Sequence, residues 1–224
     1  MKKIVALLVI LATCLFAVTA CGGANEVDTV GAMFEASKPT KTYITYTQTF
    51  GDTTLEGVYE LRRGTVNGKE ACVYTAEYEE LVSVEEGGAT EVVLPDVVTR
   101  TEKLEYLEGK GVRENGGSWD SKAENFASEA GPMSLKLNSD LISNYTYEGN
   151  TLRCAVAAKN TAEVLGLEEN LSVDATITII DDGASITDII ISYTIPEDTE
   201  AQVPETTISI VAKYTYDLEK IEIK

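Results

Sequence analysis

The sequence predicts an α+β fold dominated by an antiparallel sheet, and three observations carry that expectation. Runs of alternating apolar and polar residues recur along most of the chain, which is the period of a half-buried strand. Glycine-bearing turns separate them, Asn67-Gly68 most clearly, and such pairs suit tight hairpins. Only three short stretches carry helical spacing, so the helices are few.

The first segment of the 224-residue chain is a signal, not part of the fold. Lys2 and Lys3 precede an uncharged apolar stretch, residues 4–16, and Val18-Thr19-Ala20-Cys21 closes it with small side chains. That order is what secretion requires. The stretch is shorter than the roughly 20 residues a membrane-spanning helix needs. Val18-Thr19-Ala20-Cys21 resembles the lipobox read by lipoprotein signal peptidase, which implies cleavage between Ala20 and Cys21 and a lipid on Cys21. An ordinary signal cut after Ala20 is the competing reading. Residues 1–20 are then the signal, 21–28 the lipidated cysteine with a flexible Gly22-Gly23 tether, and 29–224 a single domain.

Residues 29–37 place Val30, Met33 and Phe34 at helical spacing, and Pro39 ends that helix. Strand alternation comes next, with Ile44, Tyr46 and Phe50 on one face and Thr45, Thr47 and Thr49 on the other. Beyond Gly51-Asp52, Leu55, Tyr59 and Leu61 align. After Asn67-Gly68 the next strand puts Cys72, Tyr74, Ala76 and Tyr78 on one face. Gly87-Gly88 turns again, and Pro95-Asp96 interrupts the strand beyond it. Residues 97–107 and 112–119 form a hairpin, and 121–130 read as a helix ended by Gly131-Pro132. Residues 133–143 fit neither period. Residues 145–147 and 152–157 form another hairpin, and 160–167 a short helix. Strands over 171–180, 186–195 and 205–223 complete the chain, rich in Ile, Val, Thr and Tyr.

Three of these segments carry a family resemblance. They are Ala32-Met33-Phe34-Glu35-Ala36 leading into Thr42-Tyr43-Ile44-Thr45-Tyr46, the hairpin from Leu104 through Gly109-Lys110-Gly111 to Trp119, and Asp181-Asp182-Gly183 turning into Ile186-Thr187-Asp188-Ile189. Together they resemble the half-barrel lipoproteins related to LolA, LolB and LprG. The resemblance implies a strongly curved antiparallel sheet partly wrapped around a few short helices and enclosing an apolar cavity for acyl chains. Ile44, Tyr46, Tyr59, Leu61, Tyr74, Tyr106 and Ile189 are the cavity-lining candidates under that expectation; the plainer reading of each is a core position, since such residues are buried in any sheet of this kind.

Charge and cysteine count narrow the partners. The chain carries −19, and removing Lys2 and Lys3 with the signal leaves 16 basic against 37 acidic side chains, a net −21. Such an acidic chain is a poor partner for nucleic acid or for anionic lipid headgroups, so membrane attachment falls to the acyl anchor. Stable anchoring takes two acyl chains. Once Cys14 leaves and Cys21 is lipidated, Cys72 and Cys154 remain, either as a disulfide or as two buried thiols.

No catalytic constellation stands out. With no His there is no Ser-His-Asp or Cys-His set, no G-x-S-x-G occurs, and the acidic runs lack the spacing of a calcium loop. No cofactor and no metal are expected, and an enzyme is not. The expected function is a membrane-anchored extracytoplasmic lipoprotein binding a hydrophobic or lipid ligand. The alternative is a cell-envelope interaction protein with a filled core and a protein partner.

Overall fold

The computed structural model describes residues 25–82, 96–126, 135–167, 171–199, 204–217 and 221–223. Ten strands run through them: β1 (Lys41–Phe50), β2 (Thr53–Val66), β3 (Lys69–Val82), β4 (Asp96–Leu107), β5 (Gly111–Glu114), β6 (Asn144–Glu148), β7 (Thr151–Val156), β8 (Ala175–Asp181), β9 (Ile186–Ile195) and β10 (Thr206–Thr215). All pair antiparallel in one sheet, in the order β5-β4-β3-β2-β1-β10-β9-β8-β7-β6. The sheet is therefore two five-strand meanders joined where β1 meets β10. Local turns set the registers: Asn67 and Gly68 both take positive φ, 53° and 76°, the type of turn that matches strand twist.

Residues directly opposite one another share a face, so the registers define rows across the sheet. One row runs Glu102, Ala76, Tyr59, Ile44, Ala212, Ile189, Ile179, Leu152, Tyr147. The main core lies on this face over β6–β10 and β1, where Leu152, Ile177, Ile179, Ile189 and Ile191 are essentially inaccessible to water. Burying each such side chain stabilises by about 1.5–3 kcal/mol. A second, smaller cluster (Leu61 and Cys72 with Tyr74, Tyr106 and Phe126) occupies the same face over β2–β4. On the opposite face, Ala71 and Leu107 pack with Ile221 and Trp119.

Two helices are present among the described residues, α1 (Glu26–Ala36) and α2 (Ala158–Val164). Asn25 caps α1, its side chain accepting from the Val27 N–H at 2.9 Å. The first turn of α1 is then tied down twice. Asp28 accepts from the Ser139 N–H and hydroxyl at 2.7 and 2.8 Å, and Glu26 accepts from the Tyr145 hydroxyl at 2.8 Å. Gly31 permits the close approach beneath: a Cβ there would stand 2.1 Å from the Leu137 carbonyl oxygen.

The α+β expectation, a curved half-barrel sheet wrapped around helices, is overturned. The molecule is sheet-dominated and, among the described residues, the sheet is open: β5 and β6 are its end strands, with a single bridge, Val112 to Asp120, beyond β5. The physical reason lies in the stretches read as helical or ambiguous. Residues 121–125 form a turn followed by irregular backbone rather than an α-helix, while 127–130 lie outside the described residues. Leu135, Leu137 and Ile142 fill the core from irregular backbone, where a helix was not needed to bury them. Helix α2 begins two residues before the expected 160–167 and ends three before its close, and the last strand stops at Thr215 rather than running through Ile223.

Of the two readings of Cys72 and Cys154, the pair of buried free thiols is the one observed. They sit on β3 and β7, six places apart in the sheet and in different apolar clusters. A disulfide needs Cα atoms within about 7 Å.

Candidate functional site

The seven cavity candidates fall on one face, but in two environments. Ile44 and Ile189 belong to the main core, with Ile189 fully buried, and Leu61 is buried in the second cluster. Tyr46, Tyr59, Tyr74 and Tyr106 are only half-buried. The structure thus separates packed core residues from a tyrosine-bearing surface over β1–β4. Ala20 and Cys21 lie outside the described residues.

The local sequence explains how the tyrosines gather. On β2 the inward positions read Leu55, Gly57, Tyr59, Leu61, so a gap opens at Gly57 between Tyr46 on β1 and Tyr78 on β3, its two register partners. The Tyr59 ring leans over that gap: a Cβ on Gly57 would stand 3.0 Å from the ring. An aromatic side chain covering a strand glycine in this way restores the contact the glycine lacks. Tyr59 also stacks on Tyr78, with ring centroids 6.3 Å apart. The Tyr78 hydroxyl donates to Glu102 at 2.9 Å, and the Tyr46 hydroxyl donates to Gln48 at 2.9 Å.

The electrostatics keep these phenols neutral. Burial pushes Tyr46, Tyr59, Tyr74 and Tyr193 above the ordinary tyrosine value. Proximity to Glu102 adds to the rise for Tyr59 and Tyr74, and Tyr193 and Tyr59 add to it for Tyr46. Tyr78 is raised chiefly by its hydrogen bond to Glu102. The arrangement offers flat apolar rings edged by hydroxyls that both donate and accept. It supplies hydrogen bonding and contact area, not a nucleophile.

Tyr78, Tyr193 and Glu102 were not among the seven candidates. Tyr78 shares the parity of Tyr74, so alternation alone was enough to include it. Tyr193 reaches the group through β9 and β10, a neighbour relation that sequence periodicity does not contain.

The reverse face of the same strands bears an open groove of about 550 Å³, lined by Tyr43, Val58 and the carboxylates Glu56, Glu60, Glu77 and Glu79. Glu60 is paired there with Lys41 at 3.1 Å and Arg62 at 2.5 Å. Burial works to raise the Glu60 pKa, but the hydrogen bonds and charges of Arg62 and Lys41 prevail and hold it below the ordinary value. No group of three or more His, Cys, Asp or Glu among the described residues is placed to hold a metal. No helix among them is long and apolar enough to cross a membrane.

No protein-family model and no curated protein matches the chain. Among solved structures it is similar to a DUF1329 family protein from Desulfovibrio piger ATCC 29098, at 10% identity. The match covers 86% of this chain and 93% of that one, with a TM-score of 0.27. A likeness at that level assigns neither family nor activity.

Proposed function

We propose that this chain is a lipid-anchored extracytoplasmic protein that binds an amphiphilic ligand against the tyrosine-bearing face of β1–β4. The observation that carries the reading is the gathering of Tyr46, Tyr59, Tyr74 and Tyr78, half-buried on a face whose neighbouring half is closed by α1 and packed isoleucines. Their rings supply apolar area and their hydroxyls supply orientation, the combination that small-molecule sites use. Anchoring rests on Val18-Thr19-Ala20-Cys21 and on the strongly acidic composition, which leaves the acyl chains as the means of attachment.

The test is isolation of the protein from membranes of its host, with mass spectrometry of the N-terminal peptide and of co-extracted small molecules. A diacylglyceryl group on Cys21 and a bound amphiphile that is lost from a Tyr59→Ala, Tyr74→Ala variant are the expected results. An unmodified Cys21 overturns the anchoring, and an empty wild-type protein overturns the ligand.

A second reading is favoured by the filled core over β6–β10: an envelope interaction protein whose exposed strands meet a protein partner. A reproducible crosslinked partner, unchanged by the tyrosine substitutions, selects this reading over the first.

A further inference from the structure

The side chains around Ala76 bear on the charge of the head group that the tyrosine face accepts. Ala76 lies on β3, directly opposite Tyr59 on β2 and Glu102 on β4. Tyr74 and Tyr78 flank it two places away on the same strand, and so on the same face. Three phenol rings and one carboxylate therefore surround one small residue. Their backbones frame an area about 10 Å across the strands and about 13 Å along them, which the side chains narrow. Ala76 is buried, while the three rings keep part of their surface open to solvent.

The carboxylate in this frame lacks a counter-charge. Glu102 is exposed and accepts from the neutral Tyr78 hydroxyl at 2.9 Å. No lysine or arginine among the described residues pairs with it. The two arginines that β1–β4 place on this face are engaged elsewhere. Arg100, opposite Tyr78, pairs with Glu80 at 2.7 Å, and Arg63, opposite Cys72, donates to the Pro39 carbonyl at 3.3 Å. The field of Glu102 also reaches the rings: burial first, and then this carboxylate, raises the Tyr59 and Tyr74 phenols.

Aromatic faces attract a cation lying within about 6 Å of the ring centre, and a carboxylate among them repels anions. A primary ammonium keeps its water shell on such a surface. A quaternary ammonium needs no hydrogen bond and presents methyl groups to the rings. We propose that the ligand of this face is a cationic amphiphile whose quaternary ammonium head sits among Tyr59, Tyr74 and Tyr78 beside Glu102. Its chain lies along the half-buried surface toward Tyr46. The inference rests on the amphiphile reading of the tyrosine face and adds the charge of the head group.

The test titrates octyltrimethylammonium calorimetrically into the full-length chain in a neutral maltoside detergent, with octanol and octyl sulfate as the uncharged and anionic controls. The cation is expected to bind most tightly and the sulfate least. Glu102→Gln is expected to weaken the cation about two- to fivefold and to leave octanol unchanged. Glu77→Gln removes the same charge from the opposite face of β3, so it reports general attraction to an acidic chain and is expected to have no effect. Tyr74→Leu is expected to weaken the cation about two- to fivefold, whereas Tyr74→Phe, which keeps the ring, retains wild-type affinity. Equal binding of the cation and octanol, or equal weakening by Glu77→Gln and Glu102→Gln, overturns the cationic head group while the amphiphile reading stands. Binding of none of the three probes overturns both.

Discussion

The Tyr59 ring leans along its own strand and stacks on Tyr78, with planes 13° from parallel and centroids 6.3 Å apart. The stack exists because Gly57, opposite Tyr78 in the ladder, leaves room for it. Offset aromatic pairs contribute about 0.5–1.5 kcal/mol beyond the area they bury. A double-mutant cycle of Tyr59→Leu and Tyr78→Leu, read by urea midpoints, is expected to return a coupling in that range. In a Gly57→Ala background the added methyl displaces the ring, and the coupling should fall toward zero.

Gly31 tests the packing of α1. Alanine is the better helix former by about 1 kcal/mol. Its Cβ, however, would sit 2.1 Å from the Leu137 carbonyl oxygen, and this contact is to backbone, which yields poorly. Overpacking of this kind costs about 1–3 kcal/mol, so the clash outweighs the propensity. Gly31→Ala is expected to lower the melting temperature by several degrees. An unchanged or higher value would show that α1 can slide off residues 135–142 at no cost.

Glu105 contributes to the acid limb of stability. Its side chain is 2% exposed, held by Lys103 at 2.9 Å and Arg113 at 2.5 Å. Burial works to raise its pKa, yet the hydrogen bonds and charges of Lys103 and Arg113 prevail and lower it below the usual 4.5. A carboxyl with a lowered folded pKa stabilises fully above its unfolded value, and that contribution is lost as pH falls through the folded value. Glu105→Gln is expected to cost about 2–3 kcal/mol at pH 7, the low side for a broken buried pair because Lys103 is 46% exposed. The gap between variant and wild type should narrow below pH 4. Urea denaturation at pH 7 and pH 3 measures both. Arg113 also lies 4.7 Å from the centre of the ring of Trp119, the chain's single tryptophan, so fluorescence should report the same change.

Burial raises the Cys72 thiol to about 12 and the Cys154 thiol to about 11. At pH 8 neither is a thiolate to any useful extent, and thiolates are the reacting species. Iodoacetamide is expected to leave both unlabelled in the native protein and to label both in urea, as read by peptide mapping. Recovery of a Cys72–Cys154 crosslinked peptide from the oxidised protein would contradict the sheet order.

Much of the strand pattern was legible because alternation and turn chemistry are local. Asn67-Gly68 marked its hairpin, and the parity of Ile44, Tyr59 and Tyr74 placed them on one face. What remained hidden was non-local. Alternation says which residues share a face but not which strand lies beside which, so neither the β1–β10 junction nor the reach of Tyr193 toward Tyr46 followed from it. Nothing in the alternation singled out Glu105, whose burial goes with its pairing to Lys103 and Arg113. Leu135 and Leu137 carried the hydrophobicity of a core segment without a period, because the backbone there is irregular.

The junction of β1 with β10 has a kinetic consequence. The Thr40 hydroxyl reaches the Thr215 carbonyl across 175 positions of chain, and ten residue pairs continue the same ladder. Each five-strand meander can zip from short hairpins, but their union must close a loop of most of the molecule, which makes it the slow step. Until then β1 and β10 present raw edges rich in Ile, Tyr and Thr, each able to template onto a neighbouring chain. A crowded refolding mixture is where this protein is most exposed to misassembly.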